Sequence, residues 1–399
     1  MLIDMTTVRF LGSAVLGLSL FAGCGPSSEP ALAGGDESTA LDFDALAERL
    51  LERLALQPGE RVLLVALPGR FDPMVPTFRA GVAAAGATDL GAWSVAGAAP
   101  DAWASDFTAR LGEASGEARL ELLSEVDAAV MMPGATVTHP VYSGLQDLLE
   151  EGGRRTVHFH WAGAFALDGT LMDQTPEYDA FYQDVLHETD YLALAAAQVG
   201  FEEAMRGSVV RVTTPAGTDV SFRIGDRPVT KQDGDASPER ARRALNLIDR
   251  EVELPAGAVR LAPLEESVNG TVAFPPSVWG ETTVEGLVLT FTSGRVVDAQ
   301  ADRGLEAAIA EMDAAGDGGR AFREFALGFN PLLAIPDQGD PWIPYYGYGA
   351  GVVRLSLGDN SELGGSVGGG YVRWNFFTDA TVTVGGDLWV DGGKLVRTF

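Results

Sequence analysis

Histidine is the first residue type to consider for chemistry, and this chain has only four of them. His158 and His160 stand two residues apart in a segment that we predict as a β-strand, so both imidazoles lie on one face. That spacing suits a pair of metal ligands, and Asp168 and Asp173 follow along the chain. No third ligand has a diagnostic spacing, and strand histidines beside Trp161 are more often packed and hydrogen-bonded. The sequence favours a packed pair and leaves the role of the two histidines open.

Carboxylates in the second half of the chain form another candidate cluster. Glu265 and Glu266 are adjacent, so on a strand their side chains point to opposite faces. We expect solvated or capping carboxylates there; a hydrolytic cluster of Glu324 with Glu265 or Glu266 is the alternative. Residues 364–368 (GGSVG) match the G-x-S-x-G nucleophile pattern, but no histidine follows them. That pattern needs a strand-turn-helix context and a distant histidine, so we interpret the match as false.

The elements that must position these residues follow from the hydrophobic pattern. Helical spacing over residues 43–54 precedes the continuous apolar run Arg61–Leu67, and this alternation of helix and buried strand repeats as far as Trp161. It predicts the α/β class, with a parallel sheet covered by helices in residues 41–175. We expect residues 176–206 to be one long helical connector. Short strands and Gly-rich turns in 207–399 predict a β-rich α+β domain, with a cleft between the two domains.

The first forty residues have the pattern of an export signal and a tether. Residues 1–23 carry a short basic segment and an apolar stretch too short for a typical membrane-spanning helix, which is typical of a signal peptide. Small residues before Cys24 resemble a bacterial lipobox, in which the cysteine is lipidated; an ordinary secretory signal cleaved nearby is the alternative. Residues 24–40 are predicted to be a flexible tether. We therefore expect an exported, membrane-anchored lipoprotein of the bacterial cell envelope.

Composition excludes several classes of function. The 399 residues carry a net charge of −28, which repels phosphate backbones and argues against a nucleic-acid partner. With Cys24 as its single cysteine, the chain has no internal disulfide and no thiolate-rich zinc site.

Five segments, taken in order, resemble one protein family. They are 56–65 (LQPGERVLLV), 214–222 (TPAGTDVSF), 254–270 (LPAGAVRLAPLEESVNG), 322–331 (FREFALGFNP) and 349–375, with GAGVVRLSLGDN at its start and YVRWN at its end. Together they resemble the thermophilic metallo-aminopeptidases, the aminopeptidase T or leucyl-aminopeptidase-like family. Each motif is weak by itself, and their common order makes the resemblance specific.

The resemblance implies a dinuclear metal site in the second domain, built from five carboxylate and histidine positions. Of these, only Glu324 is retained. The expected glutamate after Gly257 is Ala258, the two expected histidines are Arg354 and Arg373, and the expected aspartate is Asn375. No shift of register supplies imidazole there, because no histidine occurs after residue 187.

Two interpretations of these replacements stay open. In the first, guanidinium groups occupy the space of the metals. The formal charges of the family site, three carboxylates and two divalent ions, sum to +1. The formal charges of Glu324, Arg354 and Arg373 also sum to +1. A forked guanidinium suits such a carboxylate partner. In the second, the site has drifted after selection on it ceased.

The sequence thus predicts an exported aminopeptidase T-like protein that is catalytically degenerate and binds peptides or a similar ligand. An active metal-dependent aminopeptidase that uses other ligands is the alternative, so enzymatic activity stays open. For the degenerate binding protein we expect no cofactor. For the active aminopeptidase we expect a divalent metal, zinc or cobalt. The resemblance also implies a homodimer, and lipidated Cys24 implies the membrane as a partner.

Overall fold

The computed structural model describes residues 41–336 and 339–397. The signal peptide, the tether and Cys24 predicted from the sequence lie outside the described residues. Within the described residues the helices are α1 Phe43–Leu54, α2 Met74–Ala84, α3 Asp106–Glu113, α4 Glu117–Leu123, α5 Pro140–Leu149, α6 Pro176–Glu188, α7 Tyr191–Met205, α8 Pro238–Arg243 and α9 Leu305–Ala314. None of these helices has the length and apolar character that crossing a membrane requires.

The strands alternate with the helices in the first half of the chain and dominate the second half. They are β1 Arg61–Ala66, β2 Thr88–Ser94, β3 Ala128–Met131, β4 Arg155–Phe159, β5 Phe165–Ala166, β6 Val210–Thr213, β7 Asp219–Phe222, β8 Thr230–Lys231, β9 Glu251–Leu254, β10 Ala258–Leu261 and β11 Asn269–Ala273. The remaining strands are β12 Ser277–Trp279, β13 Thr282–Val284, β14 Val288–Thr292, β15 Arg295–Gln300, β16 Phe322–Gly328, β17 Trp342–Ile343, β18 Val353–Gly358, β19 Val372–Phe377, β20 Thr381–Val384, β21 Asp387–Asp391 and β22 Lys394–Leu395.

A five-stranded parallel sheet in the order β2-β1-β3-β4-β9 forms the first layer. Its strands are buried on both faces, as the apolar run at Arg61–Leu67 predicts. Val62 and Leu64 of β1 pack into the large core with α1 and α2, whereas Leu63 and Val65 pack into a second core with residues of α3, α4 and α5. The α/β class is therefore correct.

The connector between the two halves is two helices rather than the single one predicted. Helix α6 ends at Glu188, and the next residue, Thr189, has a ψ of 123°, which is extended rather than helical. Asp190 then begins α7, because its side chain accepts the backbone N–H groups of Leu192 and Ala193. An aspartate in that position satisfies the free N–H groups of a helix start and so favours a new helix.

Two antiparallel sheets make up most of the second half. One has the order β19-β18-β16-β10-β8, and the other, with eight strands, has the order β15-β14-β11-β7-β6-β20-β21-β22. Aromatic side chains pack between them, as where the rings of Phe222 and Phe325 lie 5.2 Å apart and those of Phe291 and Phe322 5.6 Å apart.

The two halves share strands across the predicted domain boundary. Strand β9 falls in the segment 207–399 assigned to the β-rich domain, yet it pairs in parallel with β4 and completes the first sheet. Only Pro255, Ala256 and Gly257 separate it from β10, which belongs to the antiparallel sheet. Likewise β5 pairs with β17. The chain thus crosses between the sheets several times.

Candidate functional site

The five positions at which the resemblance implies metal ligands lie on three neighbouring strands of the five-stranded antiparallel sheet and on its edge strand. Cross-strand pairing places Ala258 of β10 opposite Gly328 of β16, and Arg260 opposite Ala326. Ala326 in turn faces Arg354 of β18. Because side chains directly opposite each other in antiparallel strands share a face, Ala258, Arg260 and Arg354 lie on one face of the sheet.

Glu324 is fully buried on this face and is surrounded by three arginines. Its Oε1 accepts hydrogen bonds from Arg260 Nε at 2.6 Å and from Arg354 Nη2 at 3.0 Å. Its Oε2 accepts from Arg323 Nη1 at 2.5 Å and from Ser356 Oγ at 3.3 Å. Both carboxylate oxygens are therefore occupied by donors that belong to the protein itself.

Two of the three guanidinium groups have further carboxylate partners, which make the cluster neutral. Arg260 also lies 3.5 Å from a carboxylate oxygen of Glu253 and 3.5 Å from one of Glu362. Arg323 contacts the same Glu362. Three guanidinium groups thus face three carboxylates, and their formal charges cancel.

A β-bulge explains why Arg323 and Glu324, although adjacent, contact each other. The pairing of β16 with β18 joins Phe322 to Leu357 and Glu324 to Ser356, so that Arg323 is an extra residue. Adjacent strand residues normally point to opposite faces, and a bulge redirects the side chain of the inserted residue. This non-local feature gives no signal in the sequence.

The electrostatics of Glu324 are set by two opposing effects. Burial by itself raises the pKa of a carboxyl group, because the charged form loses its hydration. The guanidinium groups of Arg260, Arg354 and Arg323 outweigh burial and hold the pKa of Glu324 far below its ordinary value. Glu324 is thus a permanent anion in the folded protein at neutral pH.

Arg373 and Asn375 do not join this cluster. Strand β19 pairs Phe376 with Arg354, and Asn375 with Leu355, so Arg373 and Asn375 lie on the other face of the sheet. Arg373 donates to Glu311 at 2.9 Å, and its guanidinium carbon lies 3.5 Å from the centroid of the Trp279 ring.

The charge sum proposed from the sequence must therefore be corrected. It counted Arg373, which pairs elsewhere, and omitted Arg260 and Arg323, which touch Glu324. One signal for Arg260 was available, because it stands two residues after Ala258 in a predicted strand and hence on the same face.

The dinuclear metal site that the resemblance implies does not fit the residues present. Divalent transition metals are bound by carboxylate, imidazole or thiolate donors. Ala258 has no donor atom, guanidinium groups have no lone pair to offer, and both oxygens of Glu324 are engaged. Among residues 41–336 and 339–397, no group of three or more His, Cys, Asp and Glu side chains could hold a metal ion.

The histidine pair lies in the interior beside the parallel sheet. His158 Nε2 is 2.7 Å from Glu251 Oε1 of the neighbouring β9, and the Tyr142 hydroxyl lies within hydrogen-bond distance of the same ring. His160 follows the end of β4, with its ring 5.2 Å from that of His158. Burial and the neighbouring His158 lower the pKa of His160 to about 3, although Glu251 opposes them. The sequence offered no signal for Glu251 as the partner.

Of the other sequence candidates, Glu265 is held by its surroundings. It forms an ion pair with Arg227 and accepts from Asn360 and from the backbone N–H of Ser366. Ser366, the serine of the G-x-S-x-G match, also donates its hydroxyl to Glu265 at 3.1 Å. Glu266 is exposed. These contacts hold a loop together and leave no free nucleophile.

A cavity of about 370 Å³ lies next to the β19 edge. Its walls include the four consecutive residues 373–376, the turn at Asp168 and the segment at Val278. Arg373 and Asn375 therefore line a cavity that Glu324 does not line.

One family model matches a part of the chain that contains Arg260, Arg323 and Glu324. Residues 211–334 match the model of the thermophilic metalloprotease family M29. No curated protein sequence matches the chain.

Solved structures share the fold. The chain is similar to 2,5-dihydroxypyridine dioxygenase from Pseudomonas putida KT2440, with a TM-score of 0.60 and 17% identity over 89% of this chain and 97% of that one. It is also similar to wild-type AmpT from Thermus thermophilus, with a TM-score of 0.55 and 18% identity over 89% of this chain and 100% of that one. The segment matched by the M29 model runs from β6 to beyond β16 and includes Glu324, and over this segment the chain resembles the thermophilic metalloprotease family M29.

Proposed function

We propose that this chain is a catalytically degenerate member of its family that binds peptides, rather than a metal-dependent aminopeptidase. The observation that carries the proposal is the contact of Glu324 with three guanidinium groups. The retained family carboxylate is thereby neutralised by the protein's own cations.

Electrostatics oppose metal binding at Glu324. A divalent cation there would have to displace Arg260 or Arg354 from a buried ion pair, and removing one partner of such a pair typically costs about 3–5 kcal/mol. It would also lie beside guanidinium groups that cannot lose their charge. Without the metal pair, no group on this face activates water for amide hydrolysis.

The cavity beside β19 supports a role in binding. Leu167 and Val278 line it and remain 41% and 47% exposed. Exposed apolar side chains around a concave site are typical of ligand-binding surfaces. Polar groups of Asp168, Ser277 and Asn375 also line the cavity and could orient a bound chain.

Metal analysis tests the loss of the family chemistry. The purified protein is incubated with excess zinc, cobalt or manganese and dialysed; we expect far less than one metal ion per chain by elemental analysis and no hydrolysis of leucine p-nitroanilide. The variant Glu324→Ala and its matched exposed control Glu281→Ala should show the same low metal content and the same lack of hydrolysis as the unmodified protein. Stoichiometric metal that supports hydrolysis and disappears only in Glu324→Ala would overturn the proposal.

We extend the proposal to the cellular setting. Cys24 is the lipidated first residue of the mature protein and anchors it to the bacterial envelope, with the small residues before it as the supporting pattern. In a bacterial host, Cys24→Ser should move the protein from the membrane fraction to the soluble fraction. An unchanged distribution and mature mass would contradict lipidation. The homodimer implied by the resemblance belongs to the same proposal and is measured by analytical ultracentrifugation.

A further inference from the structure

The way in which β19 borders the cavity is unusual for a strand. Arg373, Trp374, Asn375 and Phe376 all line the same cavity. Successive side chains of a strand point to opposite faces, so a cavity on one face meets only every second residue. A cavity lined by four consecutive residues therefore lies at the edge of the strand, beside its backbone.

That edge is free within the described part of the chain. Strand β19 is the last strand of its sheet, with β18 as its only neighbour among the described residues. An edge strand presents unpaired backbone N–H and C=O groups, which are a template for another strand. Peptide-binding domains use such edges: the added main chain supplies hydrogen bonds, and pockets for alternate side chains supply specificity.

Charge at the cavity favours a basic ligand. The guanidinium group of Arg373 is already paired with Glu311. Asp168 is exposed, accepts only the backbone N–H of Thr170, and has no cation within ion-pair distance in the described residues. The net charge of −28 attracts cations over longer distances.

We infer that the cavity binds an extended basic peptide segment, which adds as a strand alongside β19 and places a lysine, an arginine or an α-ammonium group near Asp168. Apolar side chains of the peptide would contact Leu167 and Val278, which remain exposed at the rim. This inference rests on the proposed peptide binding and specifies its geometry and the class of peptide.

The test compares matched peptides by calorimetry on the mature protein at low salt. The probe is a seven-residue peptide with alternating valine and threonine and a lysine at each end. In the first control peptide, both lysines are replaced by glutamate. In the second, the lysines are kept and alternate backbone nitrogens are methylated. Methylation removes backbone donors while retaining the side chains, so the hydrogen bonds of an added strand are lost and we expect a loss of affinity of about tenfold or more.

Variants and hydrogen exchange locate the binding site. Asp168→Asn should lower the affinity for the lysine peptide by up to about fivefold, which is the range of an exposed ion pair. The exposed control Glu121→Gln should leave this affinity unchanged. Hydrogen exchange should show protection of residues 372–377 when the lysine peptide is bound.

The outcomes separate the inference from the proposed function. Equal binding of the methylated peptide, or binding without protection of β19, would overturn strand addition and leave peptide binding intact. Preference for the glutamate peptide would overturn the assignment of a basic ligand. Absence of binding by all three peptides would overturn both the inference and peptide binding as the function.

Discussion

Glu324 carries its charge in the interior, and the protein supplies the cations that stabilise it there. Arg354, which stands where the resemblance implies a histidine, contributes one of them at 3.0 Å. Arg260 and Arg323 contribute the other two. The proposal that guanidinium groups supply the positive charge in place of metal ions can be tested by substituting these residues one at a time.

A double-mutant cycle between Glu324 and Arg354 is the first prediction. Glu324→Gln leaves the buried Arg354 without a carboxylate and takes one partner from Arg260 and from Arg323, so we expect the free energy of unfolding to fall by about 3–5 kcal/mol. Arg354→Met should be destabilising as well, with a coupling energy of about 0.5–3 kcal/mol in the double variant, measured by urea unfolding.

Arg373 provides the matched control for this cycle. Because it pairs with Glu311 on the other face of the sheet, the Glu324–Arg373 cycle should show coupling of less than about 0.5 kcal/mol. Equal coupling in the two cycles, or a loss below about 1 kcal/mol for Glu324→Gln, would contradict the assigned roles.

The stability of the protein should also depend on pH through Glu324. Its pKa is lowered in the folded protein relative to the unfolded chain, so its stabilisation is present above the unfolded value of about 4.5. Below that pH the unfolded chain takes up the proton more readily, and the stabilisation is lost as the pH falls. We expect the free energy of unfolding to decrease from pH 5 to pH 3, and to decrease less steeply in Glu324→Gln. A Glu324→Gln variant with an unchanged slope would show that other carboxyl groups dominate acid unfolding.

At the scale of elements, close contacts between backbones determine which residues the sheet accepts. Gly328 ends β16 opposite Ala258, and a Cβ atom at Gly328 would lie 1.9 Å from the carbonyl oxygen of Gly349. Gly328 is held by its pairing with Ala258, and Gly349 is held by a bridge to Asn330, so neither backbone is free to move away. The glycine that ends the segment FREFALG is thus explained by packing alone.

Gly328→Ala is therefore predicted to be destabilising. Overpacking of this kind costs about 1–3 kcal/mol or more, and the loss should appear as a lower midpoint in thermal unfolding. The control is Gly112→Ala in α3, where the nearest atom to a new Cβ is 3.8 Å away. That variant should be neutral or stabilising, because alanine restricts the unfolded chain. A neutral Gly328→Ala would indicate that the two backbones can separate there.

For the whole molecule, the crossing of β9 and β10 between sheets determines how the protein unfolds. The parallel sheet loses its fifth strand if the second half unfolds, and His158 loses its partner Glu251. The two halves therefore depend on each other although the sequence pattern separates them.

We expect one cooperative transition in urea, with far-UV circular dichroism and tryptophan fluorescence giving the same midpoint. Val252→Ala in β9 removes two buried carbon atoms, a loss of about 2 kcal/mol, and should lower both midpoints equally. Its exposed control, Val297→Ala, should leave them unchanged. Two separated transitions, or a shift in one probe only, would show that the halves unfold independently.

The sequence by itself determined the α/β class, the helix of residues 43–54, the buried strand that begins at Arg61 and the resemblance of residues 211–334 to the M29 family. Hydrophobic periodicity and short motifs carry these features, and both depend on residues close together in the chain. The absence of histidine after residue 187 was likewise readable from the sequence alone.

Only the tertiary structure decided which charges meet. Arg323 reaches Glu324 because of a bulge, Arg373 lies on the opposite face because of strand register, and β9 joins the parallel sheet across the predicted boundary. Register, bulges and sheet order arise from pairing between segments distant in sequence, and a shift of one residue moves every side chain to the other face. The hydrophobic pattern of a single strand therefore does not predict its register, its bulges or its place in the sheet.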